Sequence, residues 1–125
     1  MIFNLGLENY GLLALRLAVA AVFFVHGTSK LKSWGKLPGF MRFIGTAETF
    51  GALSMLLGLW TQLSGLGLAI IMLGAIYSKK FKWNVPYNSD KTTGWEFDSV
   101  LLAAALALVT LGAGTISVDA LLGLI

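Results

Sequence analysis

Residues 11–31 read GLLALRLAVAAVFFVHGTSKL, an apolar run broken only by Arg16 and His26 before it closes on Thr28, Ser29 and Lys30. An α-helix rises about 1.5 Å per residue, so a run of this length crosses a hydrocarbon core roughly 30 Å thick. Three further runs of the same character follow, at residues 43–60, 63–77 and 95–113. The run at 63–77 reaches spanning length once Ser78–Phe81 is counted with it, as a helix over 63–81. Together they predict an all-α integral membrane protein, a bundle of four transmembrane helices forming a single domain over residues 1–125.

Composition supports the same reading. Charged residues make up 12% of the chain, whereas a soluble domain carries about a quarter, and the mean hydropathy is +0.80. Four crossings and three connections use nearly every residue, which leaves no room for a soluble catalytic domain. No basic segment precedes the first run, and Arg16 and His26 interrupt it, so it reads as a retained helix and not as a signal peptide. Zero cysteines exclude disulfides, iron–sulfur ligation and thiol exchange by this chain alone. A single histidine excludes bis-histidine haem within one chain, although His26 with a methionine remains formally open. No metal site and no resident cofactor are evident.

A net charge of +3 and a pI near 9.4 can suggest nucleic acid, but the placement of the basic residues argues for a membrane. Lys30, Lys32, Lys36 and Arg42 bracket the first connection, and Lys79, Lys80, Lys82 and Lys91 lie in the third. In a four-crossing chain these connections share one side, which the positive-inside rule makes cytoplasmic. Loops 32–42 and 79–94 are then cytoplasmic, and both termini lie outside the plasma membrane. Trp34, Trp83 and Trp95 mark the inner boundary, with Tyr10 and Trp60 at the outer. The lipid bilayer, not nucleic acid, is the expected surrounding.

Local signals divide the runs. Residues 1–10 form a short outer lead, Pro38-Gly39 is a turn signal, and Gln62, Ser64 and Gly65 mark a tight outer connection. Thr93-Gly94-Trp95-Glu96 fits a capping box opening the fourth helix. Gly112-Ala113-Gly114 ends that helix, and Asp119 opens an apolar tail that can fold back along the outer surface. Small residues recur at packing spacing, at Ala14 and Ala18, Ala47 and Gly51, Gly67 and Gly74, and Ala103 and Ala107. Close backbone approach is what holds helices together in lipid, so these faces are expected to line the bundle interior. No internal repeat is evident.

Ionisable groups inside a bilayer are costly, so each asks for a partner or a purpose. At 100° per residue, Arg16, His26, Gly27 and Lys30 share one stripe of the first helix. Glu48 sits among Gly45, Gly51, Ala52 and Met55 on the second helix and should point into the bundle. His26 is about 7 Å inside its cytoplasmic end, and Glu48 is similarly deep in the antiparallel second helix, so the two can meet. Glu96 lies near the same level on the Ala103/Ala107 face, Asp98 projects from a different face, and Tyr77 closes the third helix. The expected inner-leaflet cluster therefore comprises His26 and Glu48 as its chemical pair, with Lys30, Tyr77 and Glu96 around them. Such a cluster can relay protons or hydrogen-bond a quinone carbonyl, since histidine and carboxylate change protonation as a quinone is reduced.

Structural readings stand beside the chemical ones. Lys30 also fits a lysine snorkelling to the interface, Glu96 a helix cap, and Glu48 a structural pair with His26 or Lys30. Arg16 belongs to the outer end, where an ion pair with Asp119 would tie the tail to the first helix.

These residues, in this order, resemble the DoxX family of small membrane proteins. The motifs are Leu15-Arg16-Leu17, His26-Gly27 and Lys30-Leu31, then Glu48, Gly51 and Leu57-Gly58-Leu59, then Gly94-Trp95-Glu96, Gly112-Ala113-Gly114 and Ser117-Val118-Asp119. Ala52 replaces a second glycine common after the glutamate, and Thr115 stands where a neighbouring arginine is common. The resemblance implies a four-helix membrane bundle linked to respiratory or sulfur redox chemistry. Its relatives include the large subunit of thiosulfate:quinone oxidoreductase, subunits associated with terminal oxidases, and membrane partners of oxidative-stress proteins. A quinone-linked subunit with a redox partner chain, or a homo-oligomer, is the leading expectation, with no complete catalytic centre in this chain. A non-catalytic assembly or anchoring protein and a small proton-coupled transporter are its rivals.

Overall fold

A computed structural model describes residues 6–124, so residues 1–5 of the expected lead lie outside the described segment. The regular elements of the described residues are all helical: α1 (Glu8–Lys32), α2 (Gly39–Leu57), α3 (Thr61–Tyr77), α4 (Trp95–Leu111) and a single turn, α5 (Val118–Leu121). A short 3₁₀ turn, Trp34–Lys36, joins α1 to α2, and a π-type turn, Ser78–Lys82, extends α3. Helix α1 begins three residues before the expected run, because Glu8, Asn9 and Tyr10 continue its hydrogen bonding. Helix α2 starts at Gly39, right after Pro38, where proline fixes an extended residue ahead of a helix start.

Two antiparallel hairpins, α1 with α2 and α3 with α4, pack side by side. The first closes at a glycine crossing. A Cβ at Gly27 would lie 2.7 Å from the Thr49 amide nitrogen and 2.9 Å from the Gly45 carbonyl, and one at Gly45 would lie 2.7 Å from Lys30 Cβ. The backbones therefore touch, as close packing in lipid requires. In the second hairpin Gly65 admits Val109 and the Ala105 carbonyl. Phe23, Met55, Leu68, Ala105 and Leu108 fill the space between the hairpins.

The expected small-residue faces need correcting. Ala14, Ala18, Gly67, Gly74 and Ala103 are exposed, and the buried Gly and Ala residues within the four long helices are Ala20, Gly27, Gly45, Ala52, Gly65, Ala69 and Ala105. Spacing of small residues alone does not say which face meets protein; the stripe of large side chains does. On α3 that stripe, Leu63, Leu66, Ile70, Leu73 and Tyr77, points outward, as do Phe40, Phe43, Phe50 and Leu57 on α2. So much exposed apolar surface is costly in water and ordinary in lipid. Two helices, Glu8–Lys32 and Thr61–Lys82, are long and apolar enough to cross a membrane.

The connection between α2 and α3 also differs from expectation, being Gly58–Trp60 and not the Gln62–Gly65 region. Gly58 is left-handed, with φ 69°. Its amide donates to the Met55 carbonyl at 3.2 Å and that of Leu59 to Ser54 at 3.0 Å, the paired bonds of a Schellman end. The expected capping box is likewise absent: Gly94 caps α4 without a side-chain bond, and the Glu96 amide donates to the Tyr87 carbonyl at 3.1 Å. A Cβ at Gly94 would collide with that carbonyl, so the loop folds over the helix start and takes the place of the threonine.

Candidate functional site

Ionisable side chains gather at both ends of the bundle. At the end carrying the basic loops, the glycine crossing brings Lys30 of α1 against Glu48 of α2, with Nζ donating to Oε1 at 2.7 Å. Glu48 is 1% exposed while the Lys30 side chain keeps 24%, so the ammonium reaches outward as the carboxylate stays inside. One oxygen of a buried carboxylate is thus held, and the other, Oε2, is buried without a hydrogen-bond partner among the described residues.

His26 lies one turn before Lys30 on the same face of α1. It is half-buried, and its ring stacks on Phe97 of α4 with centroids 5.9 Å apart at 26°. Its partner is that aromatic ring, and neither a hydrogen bond nor an ion pair joins it to Glu48 among the described residues. Helix α1 therefore turns Lys30 to α2 and His26 to α4.

The remaining members of the expected cluster disperse. Tyr77 is 56% exposed, packs against Phe81 and lies under the Lys82 ammonium. Glu96 is half-buried, and its carboxylate makes no hydrogen bond or ion pair among the described residues. The acid that α4 does bury is Asp98, 3% exposed, with Lys79 Nζ 2.7 Å from Oδ2. The contact is an ion pair of a buried carboxylate with an ammonium. The π-type turn places it: the Trp83 amide bonds the Ser78 carbonyl, and this widened turn swings Lys79 toward α4. Sequence reasoning missed the pair because a regular helix gives no sign of the extra residue. The adjacent Asp98 and Phe97 flank the helix start beside the ring of His26.

At the opposite end, Arg16 is 1% exposed. Its Nη1 donates to the Met55 carbonyl at 3.3 Å and its Nη2 to the Ile116 carbonyl, while Nε has no partner among the described residues. Asp119 takes no direct contact with it within ion-pair distance; the carboxylate accepts from the Trp60 amide at 2.6 Å and the Thr61 amide at 3.0 Å. The direct ion pair expected from the sequence is replaced by two separate clasps. The guanidinium ties α1 to the end of α2 and to the tail, and the carboxylate caps α3 from the tail. Both answer orphan backbone groups left at helix ends. Gly58 sits between them, since a Cβ there would collide with the guanidinium and with Ser117.

The fold and these ends define an all-helical, membrane-associated protein with buried carboxylates at the basic end and a locked opposite end. Comparison with known proteins gives the family. The DoxX family model matches residues 11–83, and the chain belongs to the DoxX family. It is 32% identical over 119 residues to the Bacillus subtilis (strain 168) protein named "Putative oxidoreductase CatD", covering 87% of this chain and 84% of that protein. No solved structure matches the chain.

Proposed function

We propose that this protein is the membrane subunit of a quinone-linked oxidoreductase complex, crossing the plasma membrane four times with its basic loops in the cytoplasm. Its site lies in the inner leaflet around His26, Lys30 and Glu48. The observation that carries the reading is a carboxylate 1% exposed whose Oε2 is unpartnered among the described residues, held by Lys30, with His26 one helical turn before that lysine on α1. A quinone carbonyl is an acceptor that His26 can donate to, and the carboxylate is a group that can take or release the accompanying proton. Lys30, partly exposed, links that carboxylate to the cytoplasmic surface. Family membership and a relative named as an oxidoreductase support the redox side of the proposal. Electrons come from a partner subunit, because cysteine is absent and no group of His, Asp and Glu that could hold a metal occurs among the described residues.

The test is quinone-site labelling of the protein in native membranes, compared with His26→Ala and Glu48→Gln. Loss of labelling in both, with normal recovery of partner chains, is the expected result. Unchanged labelling in both would remove the inner-leaflet site. A second reading, that the protein is a non-catalytic assembly partner, draws on the Lys30–Glu48 contact itself, which fixes the register of α1 on α2. Under that reading the same substitutions lower partner recovery and leave no quinone signal to lose.

A further inference from the structure

The widened turn at the end of α3 divides its lysines. Lys79 goes inward to Asp98, while Lys80 and Lys82 stay exposed and meet no acid within ion-pair distance among the described residues. Each lies instead over aromatic rings. Lys80 Nζ is 5.3 Å from the centroids of both Phe81 and Trp95, and Lys82 Nζ is 5.9 Å from that of Tyr77. We infer that this turn, with the start of α4, binds an anionic phospholipid, its phosphate on Lys80 and Lys82 and its acyl chains along the outward face of α3.

Three observations select that ligand. The first is charge. Eight of the nine Lys and Arg residues share this end of the bundle with four of the six acids, and two of those acids, Glu48 and Asp98, are buried against Lys30 and Lys79. What remains is Lys32, Lys36, Arg42, Lys80, Lys82 and Lys91 against Asp90 and Glu96, an excess that an anionic partner offsets. The second is the arrangement of the two lysines. The rings of Tyr77 and Phe81 pack with centroids 5.3 Å apart, so Lys80 and Lys82 flank one aromatic pair. An ammonium carries three donors; a ring face meets one side of it and leaves donors for oxygen acceptors. The long, flexible stems then let both ammonium groups close on one phosphate. The third is what lies along the helix. Thr61–Lys82 is long and apolar enough to cross a membrane, which puts the turn at the end of a span, where lysines and aromatic rings meet headgroups. Leu66, Ile70 and Leu73 follow from Tyr77 at helical spacing, all exposed. That stripe gives acyl chains a surface and gives a soluble anion or an acidic peptide nothing. The site stands apart from the one proposed around His26 and Glu48 and does not draw on the quinone-linked reading.

The experiment places the full chain in nanodiscs of phosphatidylcholine with a minor fraction of phosphatidylglycerol, and native mass spectrometry counts the lipids that leave with the protein. Phosphatidylglycerol should be retained well above its share of the bilayer. Lys80→Gln combined with Lys82→Gln should lower that retention about tenfold or more. Lys32→Gln combined with Lys36→Gln removes the same charge from exposed positions in the first connection and should leave it nearly unchanged. Phe81→Leu keeps every charge and removes an exposed ring, and should reduce retention in part. Lys80→Arg combined with Lys82→Arg should preserve it. Equal losses in the two glutamine pairs would mean a diffuse field with no site, and overturn the inference. Retention of phosphatidylcholine as strong as that of phosphatidylglycerol also overturns it. So does a hexaglutamate peptide that binds the detergent-solubilised protein more tightly than short-chain phosphatidylglycerol and is lost with Lys80 and Lys82, a result that assigns the turn to an acidic protein segment.

Discussion

Glu48 shows how one residue can be both costly and retained. A lone carboxylate at this burial is costly, and Lys30 meets it at 2.7 Å. Removing one member of a buried pair strands the other, whereas removing both does not. Lys30→Met alone should therefore destabilise the protein more than Lys30→Met combined with Glu48→Leu. A double-mutant cycle of thermal melting in mild detergent should give a coupling of about 1–3 kcal/mol. Additive effects would mean that solvent at the lysine already screens the pair. His26 illustrates what residue-level reading can reach. Its stripe on α1 was legible from periodicity, but whether it faced α2 or α4 depended on how far α1 rotates at the Gly27 crossing. Only packing decides that, and packing sent it to Phe97.

At the scale of the element, the existence of four long helices was readable from hydropathy, while their ends and faces were not. Gly58 and Gly94 determine where α2 stops and α4 starts, through backbone bonds to Met55, Ser54 and Tyr87 that leave only a glycine as their trace in the sequence. The helix faces went astray for a related reason. In a chain rich in Ala and Gly, small residues occur on lipid-facing and protein-facing sides alike. Two substitutions separate the sides. Gly27→Ala introduces a Cβ against the Thr49 amide and the Gly45 carbonyl and should cost about 1–3 kcal/mol, the usual penalty for overpacking. Gly67→Ala meets open space and should be neutral or stabilising by up to about 1 kcal/mol, since alanine restricts the unfolded backbone more. Denaturant titration followed by circular dichroism would compare them. Equal losses would mean that α3 packs on a neighbour through its Gly67 face.

For the molecule as a whole, the two ends are built on different principles. The basic end uses side-chain ion pairs, one per hairpin, Lys30 with Glu48 and Lys79 with Asp98; the opposite end uses charged side chains on backbone groups. Asp119→Ala removes the acceptor of the Trp60 and Thr61 amides and should cost about 0.5–2 kcal/mol, the worth of a helix cap. The tail should also become a site of early protease cleavage, and an uncleaved tail would show that Arg16 alone retains it. The absence of cysteine makes orientation directly measurable. Single substitutions Ser33→Cys, Asn88→Cys and Thr115→Cys fall at exposed positions. In intact cells an impermeant maleimide should react with the cysteine at 115 and spare those at 33 and 88 until the membrane is opened. The reverse pattern would invert the proposed topology and move the Glu48 site to the other leaflet. Asp119 also carries a consequence for biogenesis. It lies 58 residues beyond the Thr61 amide that it caps, so α3 leaves the ribosome with its leading amides open. Until residue 119 has been made, those amides need another acceptor, and a chain cut short before it would leave a bundle whose third helix was never sealed.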